Sequence, residues 1–285
     1  MYKNTIVVYH DACLDGMASR YAAWKKFGWD ASYITGVHQQ VVNLNKFKGK
    51  DVVCVDFSYK RKDLMQIVKV CKSMRILDHH KTAVPEIEAT LEELKGTVHE
   101  GKLSYTYSEE RSGVGVVWDT YHKGLPMPRI LWHIEDRDIW AFNLPGTVEI
   151  CCYMASLEGD FKKWIKHVES DNLREIMIKG ASIRNKEAQD IKTITDQAII
   201  TQWRGYTIAL IENCPKQYVS EACNKLLIDH TDVDFAANKC WIDDGWLWSF
   251  RSEDSRKDVG EIAKSIGGGG HRNASGALLS STDRI

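Results

Sequence analysis

The first 80 residues alternate short, β-branched apolar runs with amphipathic stretches, and that pattern restricts the fold more than any other feature of the chain. The runs at 5–10 (TIVVYH), 31–37, 51–57 (DVVCVDF) and 75–80 (RILDHH) have the length and composition of buried strands. Between and after them, 15–27, 61–71 and 85–94 carry helical spacing. Strands alternating with helices predict βαβ units and a mostly parallel sheet, an α/β fold. Further helices are expected at 113–122 and 128–136.

The pattern then changes twice. From 161 to 198 the chain is polar and helical in period, with no proline and a single internal glycine, Gly180. Beyond it, 206–212 reads as a strand and 219–228 as a helix. Strands are expected at 234–238, 240–242 and 246–251, with a hairpin turn at Asp243-Asp244-Gly245. A helix over 258–266, a glycine run and a last strand at 274–279 complete a smaller α/β domain with a mixed or antiparallel sheet. The expected organisation is a first domain over 1–155, a helical linker over 156–200 and a second domain over 201–285.

Composition sets limits on partners. Lys+Arg (38) and Asp+Glu (39) nearly balance over 285 residues, for a net charge of −1. Long duplex nucleic acid calls for a strongly basic face, and this balance gives no sign of one. No C-x-x-C pair occurs among the eight cysteines, so a structural zinc site of the usual spacing is not expected. No apolar run nears the roughly 20 residues of a membrane span. A strand-like segment starts within the first few residues, leaving no room for a signal peptide. Reduced thiols and a cytoplasmic location are the expectation.

Three predicted strands run into metal-binding side chains. The first leads into His10-Asp11-Ala12-Cys13-Leu14-Asp15-Gly16, the next ends at Asp56, and the next at Asp78-His79-His80. In a parallel sheet the carboxyl ends of the strands share one edge, where ligands bind. Such a mixed oxygen and imidazole set suits Mn²⁺, Mg²⁺, Fe²⁺ or Zn²⁺ better than Ca²⁺. One aspartate after a strand is most often a cap or a loop solvator. Three such strand ends in half a domain are harder to dismiss.

These residues resemble the motifs of the DHH phosphoesterase superfamily, which is named for Asp78-His79-His80 after an apolar strand. His10, Asp15 and Gly16 look like its first motif, Val55-Asp56-Phe57-Ser58 like its second, and Glu135-Asp136-Arg137-Asp138-Ile139-Trp140 like its fourth. Gly267-Gly268-Gly269-Gly270-His271, with Ala274 and Gly276, resembles the glycine–histidine motif of the attached DHHA1 domain, and Arg251 stands where that domain often has an arginine. The motifs fall in the expected order along essentially the whole chain.

The resemblance implies a two-metal hydrolase, usually with Mn²⁺. Carried over by position, His10, Asp15, Asp56, His79 and Asp136 would be ligands, with Asp56 bridging two ions. Asp78 would support the site and His80 would lie near the attacked phosphate. Two cations lower the pKa of a bound water and neutralise charge on phosphoryl oxygens. Asp136 is preferred over Asp138, two residues on, as the fourth-motif ligand. Cys13 stands where the family's first motif has an aspartate. It is either a soft ligand that favours Zn²⁺ or Fe²⁺ or a small apolar filler, and Asp11 is a third choice if the motif is displaced. Trp132 and Trp140 read as core rather than as stacking platforms, and Ser112-Gly113 as a structural helix start.

In the second domain, Gly268, Gly269 and Gly270 would let successive backbone N–H groups cradle a phosphate, with His271 donating and Arg251 clamping. Arg272 and Asn273 could reach a base or a sugar. The substrate expected is a short linear nucleotide, from two to five residues, cut to 5′-mononucleotides. A cyclic dinucleotide and a 3′,5′-bisphosphonucleotide are the rival substrates. A non-catalytic nucleotide sensor is the rival of another class, kept open by Cys13. A homodimer is compatible with all of these.

Overall fold

The computed structural model describes residues 4–10, 13–37, 40–157, 159–242 and 245–280. The chain divides into two compact units, 1–184 and 185–285.

The first unit is built on five parallel strands in the order β2-β1-β3-β4-β5: β1 (Thr5–His10), β2 (Ser32–Gly36), β3 (Asp51–Val55), β4 (Ser73–Asp78) and β5 (Leu103–Tyr107). Period-two alternation sends Val7, Val53, Val55 and Leu77 to one face. Ile6, Val8, Val52, Cys54 and Ile76 go to the other. Both faces are covered, so these strands are apolar almost throughout. Helices α2 (Arg61–Val70) and α3 (Val84–Leu94) cover the second face with Leu64, Ile67 and Ile87. The first face carries α1 (Leu14–Phe27), α4 (Gly113–Tyr121), α5 (Arg129–Asp138), α6 (Thr147–Ser156), α7 (Phe161–Ser170) and the start of α8 (Leu173–Thr195).

The region expected as a linker is helical, but its first part belongs to this unit. Phe161, Trp164, Val168 and Ile176 are buried in its core. Gly180 shows why α8 lies where it does: a Cβ there would sit 1.8 Å from the Glu149 carbonyl oxygen of α6. Strand β5 was not expected.

The second unit is a six-stranded mixed sheet in the order β10-β11-β9-β8-β7-β6. Its strands are β6 (Ile199–Trp203), β7 (Tyr206–Glu212), β8 (Phe235–Ile242), β9 (Gly245–Arg251), β10 (Gly269–Gly270) and β11 (Ala274–Ser280). Among the described residues of this sheet, only β7 and β8 pair in parallel. The runs at 234–238 and 240–242 form one strand, and Asp243 and Asp244 lie outside the described residues. Helix α9 (Val219–Asp229) packs on one face through Ala222, Cys223 and Leu226, joined by Ile191 and Ile194 of α8. Helix α10 (Val259–Ser265) packs on the other, against Trp203, Phe235, Trp248 and Phe250. Asp258 caps α10 by accepting from the Glu261 N–H at 3.1 Å. All eight cysteines are free thiols. Among the described residues no helix is long and apolar enough to cross a membrane.

Arg256 ties this unit together. Its guanidinium donates to the carbonyls of Leu227 (2.7 Å), His230 (3.2 Å) and Val233 (2.6 Å) and to Glu253 (2.7 Å). The acceptors include the last carbonyls of α9, where a cation also meets the negative end of the helix dipole. Arg256→Ala should therefore lower stability by roughly 2–3 kcal/mol, the range for losing charge-assisted hydrogen bonds to partly buried groups. Arg256→Lys should not restore it, because one ammonium cannot span a fork of carbonyls. Denaturant unfolding followed by tryptophan fluorescence tests this, and a variant as stable as the parent would refute it.

Candidate metal centre

The sheet order places β2 on one side of β1 and β3 on the other, so β1 and β3 flank the point where the winding reverses. Connections leave the two strand ends in opposite directions there and open a crevice at the carboxyl edge. His10 ends β1, Asp56 follows β3, and Asp78 ends β4.

Asp56 has left-handed backbone geometry, φ 52°, and its N–H donates to the Leu77 carbonyl at 2.9 Å. A non-glycine residue in that region costs on the order of 1 kcal/mol or more, and such strain concentrates at functional sites. Its carboxylate is 1% exposed. Asp56 Oδ2 lies 3.4 Å from His10 Nδ1, while Oδ1 lies 3.3 Å from His79 Nε2 and 3.8 Å from His80 Nδ1. Among the described residues neither oxygen has a hydrogen bond of good geometry, and the buried Asp15 Oδ2 likewise has none.

Around Asp56 the ligand atoms fall into groups lying within 4.8 Å of one another: His10, Cys13 and Asp56; Asp15, His79 and Asp138; Asp56, Asp78 and His80. Asp138 Oδ2 stands 3.5 Å from His79 Nε2. Asp15 is held by its other oxygen, which accepts from Ser112 Oγ at 2.9 Å and the Val114 N–H at 3.1 Å. Asp78 Oδ1 accepts from the His79 N–H (2.8 Å) and from His80 Nδ1 (2.7 Å). That bond orients the His80 ring.

The electrostatics follow from crowding carboxylates out of water. Burial, then repulsion from Asp138 and Asp56, pushes Asp15 well above the usual carboxylate range. Burial would raise Asp56 too, but His10 and His79 outweigh it and hold Asp56 far below that range. Burial opposes the charge on His79, yet Asp56, Asp138 and Asp15 lift it to about 10. The Cys13 thiol is driven up by burial and by the same three aspartates. Four carboxylates facing three imidazoles make a pocket short of positive charge, with lone pairs aimed inward.

The fourth motif requires a correction. Asp136 is not brought to the cluster. Its Oδ1 accepts from the Asn143 N–H (2.8 Å), and Oδ2 from the Leu144 N–H (3.1 Å) and Thr147 Oγ1 (2.5 Å). Asp138 occupies the place by His79 instead, because residues two apart on a helix point to different sides. Asp11 lies outside the described residues. Trp132 and Trp140 are not core: they are 43% and 44% exposed. Ser112, read as structural, is the hydroxyl that holds Asp15, and the sequence marked its position but not its partner.

In the second unit, Arg251 hydrogen-bonds neutral groups, Ser220 Oγ at 3.1 Å and 3.2 Å and the Phe250 carbonyl at 2.8 Å. Burial dominates and holds the guanidinium below its ordinary range. Arg251 pairs across the sheet with Ala274, close in sequence to His271. The glycine run is not the expected cradle throughout. The N–H groups of Gly267, Gly268 and His271 donate to the carbonyls of Lys264, Ala263 and Ala274. A Cβ on Gly268 would come 2.1 Å from the Gly276 oxygen, so tight β10–β11 packing already demands glycine there. Arg272 donates to the carbonyls of Glu253, Asp254 and Arg256, and Asn273 to the Asp254 carboxylate.

Gly113 sets the clearance of the first-unit site. A Cβ there would lie 2.5 Å from Asp56 Cβ and 2.7 Å from both Asp15 Oδ2 and Asp56 Oδ1. Alanine ordinarily stabilises a helix over glycine by roughly 0.5–1 kcal/mol. Gly113→Ala should do the opposite, destabilising by about 1–3 kcal/mol through overpacking and lowering bound metal per chain. Thermal unfolding and elemental analysis together test it, and an unchanged or more stable variant would show that the space is larger than drawn.

No protein-family model matches the chain. An uncharacterized protein of Acanthamoeba polyphaga mimivirus is 33% identical over 297 residues, covering 96% of this chain and 67% of the viral protein. Among solved structures, the DHH domain of a member of the s1p family of ribosomal proteins matches with a TM-score of 0.63 at 11% identity, over 96% of this chain and 82% of that one. RecJ of Thermus thermophilus in complex with Mn²⁺ matches with a TM-score of 0.55 at 13% identity, over 97% of this chain and 49% of RecJ. At such identities the structural likeness concerns the fold, while the viral relative is close enough to share descent. The chain therefore belongs to one family with the mimivirus protein, and its fold is that of the DHH superfamily.

Proposed function

We propose that the chain is a divalent-metal-dependent phosphoesterase acting on short linear nucleotides of two to five residues. The observation that carries the reading is the group of inward-facing carboxylate oxygens, Asp15 Oδ2 and both oxygens of Asp56, which lie buried beside imidazoles and, among the described residues, have no hydrogen bond of good geometry. Asp56 is already flanked by His10 at 3.4 Å and His79 at 3.3 Å, but further aspartates crowd the same pocket, and repulsion among them is relieved when a divalent cation takes the place of protons, so the donor set fits a metal. His10, Cys13 and Asp56 would hold one ion. Asp15, His79 and Asp138 would hold a second, with Asp56 between them. When bound, two such cations activate water for attack and neutralise charge growing on phosphoryl oxygens.

The chain's own residues supply the rest. Asp78 keeps His80 oriented through Nδ1 and, with Asp56, favours the charged imidazolium, whose Nε2–H on the side away from the carboxylate would donate to a phosphate oxygen. A small mixed pocket lined by Ser58, Tyr59, Lys60, Asp78, His80, Thr82, Ala83 and Glu86 adjoins it. Ser112 and the Val114 N–H fix Asp15. In the second unit, a partly buried Arg251 bonded to neutral groups suits an anion, and with His271 it would hold a phosphate. The RecJ neighbour in the fold was solved with Mn²⁺. Near-neutral charge supports a short substrate over a long strand.

The metal reading predicts that Asp56→Ala keeps the fold but loses most bound metal and all hydrolysis, and that EDTA abolishes the parent's activity until Mn²⁺ is restored. Cys13→Ser should keep metal while shifting its preference from Zn²⁺ or Fe²⁺ toward Mn²⁺, since a hydroxyl is harder than a thiolate. Elemental analysis of the purified variants decides both points. Hydrolysis that survives Asp56→Ala and chelation would refute the mechanism.

The substrate reading is tested by a panel of linear dinucleotides, cyclic dinucleotides and adenosine 3′,5′-bisphosphate with Mn²⁺, extended to 5′-labelled oligoribonucleotides of increasing length. Linear dinucleotides should be cut fastest, and the rate should fall steeply beyond about five nucleotides, a limit set by analogy with the family. Processive degradation of long strands, or preference for a cyclic substrate, would overturn it.

A further inference from the structure

The segment that follows Asp138 is strained and apolar, and it faces solvent. Trp140 and Phe142 both have left-handed backbone, φ 60° and φ 49°. Bulky side chains are rarely found there, and each such residue costs on the order of a kcal/mol. The strain does not serve the core: Trp140 is 44% exposed and Phe142 37%, with Ile139 at 42% and Leu144 at 37%. The two rings meet edge to face, with centroids 4.8 Å apart.

The conformation is held in place by Asp136. Its carbonyl accepts from the Ala141 N–H (2.9 Å) and the Phe142 N–H (3.3 Å), and its carboxylate from the N–H groups of Asn143 and Leu144 and from Thr147 Oγ1. The Trp140 N–H donates to the Arg137 carbonyl at 3.0 Å. The loop is thus fixed rather than slack, and it presents aromatic rings. Trp132, the other exposed tryptophan nearby, is already covered by the Arg111 guanidinium, 5.3 Å from its ring.

Position supplies the occupant. Asp138 is a member of the carboxylate–imidazole cluster, and two residues cannot separate its Cα from that of Trp140 by more than about 7 Å. A nucleotide whose phosphate sat at that cluster would have this loop within reach of its sugar and base. A flat, π-faced group is what an exposed tryptophan on a rigid loop accepts best.

We propose that Trp140, supported by Phe142, is a stacking platform for the nucleobase next to the phosphate held at the carboxylate cluster. This deepens the reading of the site as nucleotide-binding and rests on it. Stacking of this kind tolerates any base, so the platform would select nucleotides over other phosphate esters without selecting a sequence.

The test is binding by calorimetry in the presence of Mn²⁺, using adenosine 5′-monophosphate and ribose 5-phosphate, which differ by the base. The parent should bind the nucleotide roughly 5- to 100-fold more tightly, the span expected for one stacked base. Trp140→Ala should erase that preference while leaving ribose 5-phosphate affinity unchanged, and Trp140→Tyr should restore most of it. Trp140→Gly should lose the preference yet unfold at an equal or higher temperature, since it relieves the left-handed strain. A parent that binds both ligands equally would overturn the proposal, as would a preference that survives Trp140→Ala. So would Trp140→Gly unfolding well below the parent, or dissociating an oligomer, because the ring would then be packing against protein. Hydrolysis of a linear dinucleotide by the parent, measured alongside, reports on the phosphoesterase reading separately: activity without base preference sinks only the platform.

Discussion

Burying Asp56 is the costly step on which the amino-terminal site depends. Removing a carboxylate from water costs several kcal/mol, and left-handed backbone adds to it. Two histidines 3.3–3.4 Å from the carboxylate offset part of that cost, and the rest of the site is arranged around the same carboxylate. Gly113 opens the space beside it, and Ser112, one residue earlier, holds Asp15 next to it. The parallel sheet makes this affordable: strands buried on both faces are rigid, and the winding reversal between β1 and β3 leaves a crevice where polar groups can be set.

Much of this was legible in the sequence, for a physical reason. Strands β1 and β3 read as β-branched runs apolar on both faces, β4 reads by Met74, Ile76 and Leu77 around an exposed Arg75, and each ends abruptly at an acid or a histidine. The strands that went unread are edges. Strand β5 (LSYTY) alternates in exposure along one margin of its sheet, β6 (IITQW) is largely exposed along the margin of the other, and β10 is two glycines. An edge strand covered on one side carries half the hydrophobic signal. The helical stretch from 161 onward was legible as helix but not as core, because Phe161, Trp164 and Val168 form a narrow buried stripe on an otherwise polar surface.

The site residues divide along the same line. Those at strand ends are fixed by the topology and could be found without coordinates. The sequence preference for Asp136 over Asp138 picks the residue that the structure keeps out of the cluster, because the choice depends on how α5 is rotated against the sheet. Four glycines before a histidine suggest an anion cradle, but a tight β10–β11 pairing needs glycine at Gly268 and Gly270 for clearance alone. Composition cannot separate a glycine needed for a ligand from one needed for a neighbouring strand. Arg251 is the sounder anion candidate, since its guanidinium hydrogen-bonds the neutral Ser220 hydroxyl and Phe250 carbonyl.

The end of α5 joins these themes. The two aspartates of one motif do different work two residues apart: Asp138 faces the imidazoles, and Asp136 turns the other way to cap the loop that follows. Because Asp136 binds that loop through both its carbonyl and its carboxylate, the strain at Trp140 and Phe142 is sustained by hydrogen bonds that begin two residues from the cluster. A loop held by packing alone would relax and bury its aromatic rings. One held by a buried carboxylate can keep them in solvent, beside the charges that would position a phosphate. The exchange of Asp136 for Asp138 as the cluster's fourth carboxylate thus gives Asp136 a definite role: it fixes the loop that the other aspartate's position makes useful.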